Sequence, residues 1–229
     1  MSAIAINNKP SRLEMKISIP KYTLGEELTN AITHGIGAVL GIVGLVLCLI
    51  RSYSQGYTPA IVSSWIFGMS MIILYTMSCL YHALKPCNAK RVFRIFDHCT
   101  IFILIAGTYT PFTLVALKGD AGVKMFIFIW AAAVLGIVLN AIDMERFTKL
   151  SMACYLGMGW AIVVEFNDLV KAVPYTGIKY LFLGGIAYTV GAAIFGIGSK
   201  VKYMHSLWHL FVMAGTILHF ICIYNYVLV

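Results

Sequence analysis

The sequence predicts an all-α membrane protein: a bundle of seven transmembrane helices, N-terminus cytoplasmic and C-terminus outside. Three observations predict it. Sixty per cent of the 229 residues are apolar and only 11% are Asp, Glu, Lys or Arg, well under the roughly 25% charged content of soluble domains. Apolar runs of about 20 residues, the length that crosses a hydrocarbon core of roughly 30 Å, recur along the chain. The Lys and Arg residues fall unequally on the two sides that those runs define.

Residues 1–29 form a cytoplasmic arm carrying Lys9, Arg12, Lys16 and Lys21, and residues 30–229 form the membrane domain. The apolar run after the arm is too long for a secretory h-region, so it is the first span. The spans run approximately Ala31 to Ile50, Ile61 to Leu84, Ile95 to Leu117, Val123 to Ile142, Leu150 to Val164, Tyr180 to Gly198 and Met204 to Leu228. Glu165 and Asp168 cut the fifth short, although it could continue if they face neighbours or the interface. Pro111 is expected to kink span three and free a carbonyl. Glycines such as Gly37, Gly41, Gly44, Gly184, Gly185 and Gly198 allow close helix packing. The runs lack the polar alternation of a membrane barrel.

Orientation follows from charge. Lys85, Lys90, Arg91, Arg94, Arg146, Lys149, Lys200 and Lys202 join the arm's four on one side, making twelve. Arg51, Lys118, Lys124, Lys171 and Lys179 are the five on the other side. The positive-inside rule therefore places the N-terminus in the cytoplasm. The net charge of +8 is scattered between apolar runs, which fits topology and anionic lipid rather than nucleic acid. The six cysteines form no CxxC pair, and five lie inside apolar runs as small buried hydrophobes.

Ionisable residues gather at one depth. His82 ends span two, Asp97 begins span three, and His205 and His209 open span seven, each about 5 to 10 Å inside the cytoplasmic boundary at 1.5 Å per residue. His205 and His209, at i and i+4, share a helical face and can reach one ion. His82 would supply a third nitrogen, and three histidines with a water are the open arrangement of catalytic zinc. Asp97 is the carboxylate at the level to hold or deprotonate such a water, and Ser78 lies one turn before His82. The same histidines could instead hydrogen-bond across helices, and Ser78 could be packing glue. Glu27, Asn30 and His34 form a stripe that would line the same vestibule if it faces inward. His98 points about 100° away from Asp97 and reads as an interhelical partner. His219 is about 20 Å from His205 along the helix, too far to be a ligand.

These residues fall in four ordered motifs: Glu27-Leu28-Thr29-Asn30-Ala31-Ile32-Thr33-His34-Gly35; Ser78-Cys79-Leu80-Tyr81-His82; Phe96-Asp97-His98-Cys99 followed by Ala106-Gly107-Thr108-Tyr109-Thr110-Pro111-Phe112; and His205-Ser206-Leu207-Trp208-His209. On them the chain, from Glu26 onward, resembles the hemolysin III family, the bacterial branch of the progestin and adipoQ receptor superfamily. The resemblance implies that His82, His205 and His209 bind Zn2+, that Asp97 contacts or positions the metal water, and that Ser78 belongs to the same site. Adiponectin receptors are associated with zinc-dependent ceramide hydrolysis and the wider group includes alkaline ceramidases, which suggests a lipid amidase. Bacterial members are named for haemolysis and linked to membrane-lipid homeostasis.

Three functions are therefore weighed for a multi-pass protein of the cell (plasma) membrane. One is a zinc hydrolase of a lipid amide or ester bond at the cytoplasmic leaflet, with a membrane lipid as substrate or ligand. Another is a noncatalytic regulator or sensor in which structural zinc ties spans two and seven together. A pore-forming protein is the third, but the outer half of the bundle offers no continuous polar stripe. A retinal protein is not expected, because span seven contains no Lys for a Schiff base.

Overall fold

The computed structural model describes Leu13 and residues 17–117, 119–197 and 201–229. Lys9, Arg12, Lys16, Lys118, Gly198 and Lys200 lie outside the described residues. The described chain is helical throughout, as α1 (Leu24–Gln55), α2 (Thr58–Ala83), α3 (Asn88–Pro111), α4 (Asp120–Trp160), α5 (Phe166–Ala172), α6 (Tyr175–Ile197) and α7 (Met204–Cys222). Among the described residues no strand occurs, and six helical runs are long and apolar enough to cross a membrane. The chain is an integral membrane protein.

Local chemistry sets the helix ends. Thr23 caps α1 through a reciprocal capping box with Glu26, and Gly56 ends the helix in the left-handed conformation at φ 65°. Pro59 opens α2, where its missing N–H costs nothing. Pro111 does not stop α3. The helix passes through it into a π-helical turn, Phe112–Ala116, closed by Leu117 N donating to Phe112 O at 2.7 Å, a wider winding that absorbs the expected disturbance.

The sequence places a gap between spans four and five, whereas the structure carries one helical run of 41 residues across it. The run is broken at a single residue, Asp143, whose backbone is extended (φ −158°, ψ 87°). Asp143 Oδ1 accepts from Arg146 N at 3.1 Å, so it caps the helix that follows. The two halves run in opposite directions. Before the break, Trp130 Nε1 donates to Thr110 Oγ1 at 3.2 Å and Cys99 Sγ lies 3.7 Å from Ile137 O. After it, Glu145 pairs with Arg94, Tyr155 OH donates to His98 O at 2.8 Å, and Tyr109 OH donates to Gly159 O at 3.0 Å. Ser151 Oγ also donates to Asn140 Oδ1 at 2.6 Å, although eleven residues of unbroken helix would separate them by about 16 Å. Beyond Trp160 the run tightens to a 3-10 helix over Ala161–Glu165 and continues as α5, so Glu165 and Asp168 do not end the helical path.

α1 packs on α2 and α7, α2 on α3, α3 on α4 and α6 on α7. α3 is the most enclosed, with 72% of its most apolar window buried, against 28% for the α4 run and 22% for α6. Glycines set the spacing of α1 and α2: a Cβ on Gly37 would lie 2.6 Å from the Tyr75 ring, and one on Gly68 2.4 Å from Leu45. At the far end of α1, Arg51 Nε and Gln55 Nε2 donate to the carbonyl of Leu228, placing the C-terminus at the end of α1 opposite to Glu27.

Candidate metal centre

Where each helix begins or ends decides which residues share a level. The Thr23 cap puts Glu27, Asn30 and His34 on one stripe of the first turns of α1, with Asn30 and His34 buried. α2 stops at Leu84, so Ser78 and His82 occupy its last turns. α7 starts after Tyr203, held at φ 61° with its N–H donated to Glu26 Oε1 at 2.9 Å. That contact joins the start of α7 to the start of α1 and carries His205 and His209 inward on the first two turns.

One ring nitrogen from each of His82, His205 and His209 lies within 4.8 Å of the other two, and all three side chains are buried. Nε2 of His82 and Nε2 of His205 are 3.2 Å apart. Two nitrogens on one tetrahedral zinc, each at about 2.0–2.1 Å, stand about 3.3 Å apart, so this pair fits a shared ion. Neither ring nitrogen of His209 has a hydrogen-bond partner, and the same holds for His34 and for Ser78 Oγ. Of the seven buried side-chain polar atoms without a partner among the described residues, five belong to these three residues. Such atoms are costly in an apolar interior unless a ligand satisfies them. The donor set and the unsatisfied nitrogens together fit a zinc ion held by His82, His205 and His209.

Surrounding groups fix these rings. His34 stacks on His209 with centroids 3.5 Å apart and planes 12° from parallel, and its edge meets Tyr75. Nδ1 of His82 lies 2.7 Å from Glu27 Oε2, and Lys90 Nζ lies 2.6 Å from Glu27 Oε1. Ser206 Oγ donates to Asn30 Oδ1 at 2.5 Å. Tyr22 covers the cluster from the arm, stacked on His205 at 5.1 Å and 30° and standing 5.9 Å from His82. Burial pushes its phenol well above the usual tyrosine range, so the ring packs as a neutral group. The arm is tied down by Ser18, whose N and Oγ donate to Glu145 Oε1 at 3.1 and 2.8 Å, and by Arg91 Nε donating to Ile17 O at 3.2 Å.

Asp97 is buried but is not a member of the three-histidine cluster. With His34 and His98 it lines the head of a cavity of about 110 Å³, which extends between α3, the second half of α4, α6 and α7 to His219. Ile101, Leu104, Met152, Leu156 and Val212 make much of its wall. His98 lines the same cavity, packs on Phe195 of α6 and accepts from Tyr155 OH through its backbone carbonyl. His219 Nε2 contacts Leu181 O at 3.0 Å in the far half of the bundle. Sequence reasoning did not single out Tyr22, Lys90 or Ser206 for the site. Ser206 lies inside the quoted His205–His209 motif, whereas nothing in the sequence marks Lys90, which the structure leaves 1% exposed, as buried.

The pattern of the haemolysin-III-related family matches residues 22–220, which includes every residue of this centre. The chain is 42% identical over 203 residues to Hemolysin-3 of Bacillus cereus, covering 89% of this chain and 92% of that one. It is 42% identical over 205 residues to the Hemolysin-3 homolog of Bacillus subtilis (strain 168), covering 90% and 96%. Similarity extends to the human monocyte to macrophage differentiation factor, 28% identical over 214 residues, covering 90% and 86%. On the family match and the bacterial identities, this chain belongs to the haemolysin-III-related family of membrane proteins.

Proposed function

We propose that this chain is a zinc protein of the cell (plasma) membrane that hydrolyses an amide or ester bond of a membrane lipid at the cytoplasmic leaflet, in membrane-lipid homeostasis. The observation that carries the reading is a buried cluster of three histidines next to an apolar cavity headed by a carboxylate. Zinc, when bound, supplies a Lewis acid that polarises a carbonyl and acidifies water. The chain's own groups do the rest. His82, His205 and His209 hold the ion, Asp97 accepts the proton of the attacking water, and the Ser78 hydroxyl orients a polar atom of the substrate. The apolar cavity takes the lipid chain and excludes bulk water from the head.

The membrane path is read as seven crossings with the N-terminus in the cytoplasm and the C-terminus outside. Supporting it are the opposed halves of α4, the Leu228 carbonyl at the end of α1 remote from the site, and the twelve-to-five charge count. A noncatalytic reading, in which zinc fastens α2 to α7, is favoured by His82 standing on one helix and its partners on the other. The relatives' name, Hemolysin-3, suggests a pore, but the mostly apolar cavity wall offers ions no polar path.

Zinc analysis of the purified chain, paired with mass spectrometry of ceramide, phospholipid and acyl-amide turnover in nanodiscs, tests the proposal. Stoichiometric zinc with turnover supports the hydrolase, stoichiometric zinc with every lipid intact supports the regulator, and absence of zinc removes both.

A further inference from the structure

His82 differs from the other two histidines in having a charged partner on the ring nitrogen remote from the cluster. Its Nδ1 lies 2.7 Å from Glu27 Oε2, while its Nε2 faces Nε2 of His205 at 3.2 Å. Asn30 Nδ2 stands 3.4 Å from the same Nδ1. Asn30 Oδ1 already accepts from Ser206, so this amide nitrogen is a donor, and both it and the carboxylate cannot be served by one ring nitrogen. The shorter, charge-assisted contact decides: Nδ1 carries the proton and donates to Glu27, and Asn30 Nδ2 makes only a contact. A neutral His82 then has its lone pair on Nε2, the atom turned to the cluster.

Glu27 is itself held. Lys90 Nζ, 1% exposed, donates to Glu27 Oε1 at 2.6 Å and to Leu84 O at 2.9 Å, and lies 5.0 Å from the Tyr81 ring centre. The lysine from α3 thereby fixes both the carboxylate on α1 and the end of α2, two residues past His82. An ammonium bonded to Oε1 fixes the carboxylate and leaves Oε2 to face the histidine.

We infer that Glu27, held by Lys90, is the positioning residue that fixes the His82 ring and presents its Nε2 to the metal. The inference rests on the zinc reading and adds to it a residue that touches no metal. A carboxylate on the remote ring nitrogen orients a ligand histidine and raises its basicity, and loss of such a partner weakens metal affinity about 10- to 100-fold.

The test is zinc affinity of the full-length chain in nanodiscs, by competition with a chromophoric chelator, for the parent, Glu27→Gln and Lys90→Gln, with metal-free thermal unfolding measured alongside. Glu27→Gln removes the carboxylate's charge and should weaken zinc about 10- to 100-fold. Lys90→Gln loosens the carboxylate without removing it, so it should weaken zinc by less than Glu27→Gln does while lowering metal-free stability. Cobalt in place of zinc should show a displaced ligand-field band in Glu27→Gln and a smaller displacement in Lys90→Gln. Equal zinc affinity for parent and Glu27→Gln, or equal weakening in both variants in step with their stability, would overturn the inference while leaving the zinc reading in place. No zinc on the parent would overturn both. Nitrogen NMR of 15N-histidine parent protein needs no variant: it should find His82 protonated at Nδ1 in the loaded state, and metal on Nδ1 would contradict the inference.

Discussion

His209 is fully buried with both ring nitrogens unpartnered, and its neighbour His34 is in the same condition. Leaving a buried polar atom unsatisfied costs about 1–3 kcal/mol, so a cluster of them marks a place that a bound ligand would stabilise. The same economy separates the roles of nearby residues. Asp97 stands at the head of the cavity and outside the cluster, where it can act on a proton without holding the ion. Asp97→Asn should therefore keep zinc near the parent level while abolishing lipid hydrolysis, since an amide preserves shape but cannot accept the proton. His98→Ala is the control, because His98 faces the same cavity. Turnover retained in Asp97→Asn and lost in His98→Ala would reassign the base to His98. The histidine pair of α7 was legible because i, i+4 spacing is a property of one helix. The stacking of His34 on His209 was not, because it depends on how α1 is rotated against α7, which no single helix encodes. Lys90 was counted only as a cytoplasmic charge, and its burial follows from where Glu27 ends up.

At the scale of helices, apolar length located each run, since the thickness to be crossed fixes it. In the sequence the α4 break reads as a seven-residue gap, but the polar residues around Asp143 form helix too, and one extended residue suffices to reverse the chain. Helix starts were harder to read: the first span was placed at Ala31, while the Thr23 capping box extends α1 back to Leu24 and brings Glu27 into regular helix. Close approach of helices is testable at the glycines. A Cβ on Gly68 would meet Leu45 at 2.4 Å, with the Leu45 backbone 2.9 Å away, so no side-chain rotation relieves the clash. Gly68→Ala should lower stability by about 1–3 kcal/mol through overpacking. Gly157 in α4 has nothing within 4 Å of the same position. Gly157→Ala should leave stability unchanged or raise it by up to about 1 kcal/mol through helix propensity. Thermal unfolding in one detergent distinguishes them, and equal effects would contradict close packing of α1 on α2.

For the whole molecule, the site lies at the end of the bundle where the arm, the start of α3 and the Asp143 reversal meet, joined by Ser18, Arg94 and Glu145. The C-terminus lies at the other end of α1. Reporters fused after Lys21 and after Val229 should read opposite compartments, and a reporter inserted between Arg146 and Lys149 should agree with the first. Like readings from both termini would contradict seven crossings. The central claim is that the buried histidines are a zinc centre, and metal content of purified protein tests it most directly. The parent should carry about one zinc per chain, and His82→Ala, His205→Ala and His209→Ala should each lose most of it, as expected when one of three protein ligands is removed. A parent without zinc, or undiminished stoichiometric zinc in all three variants, would contradict the account.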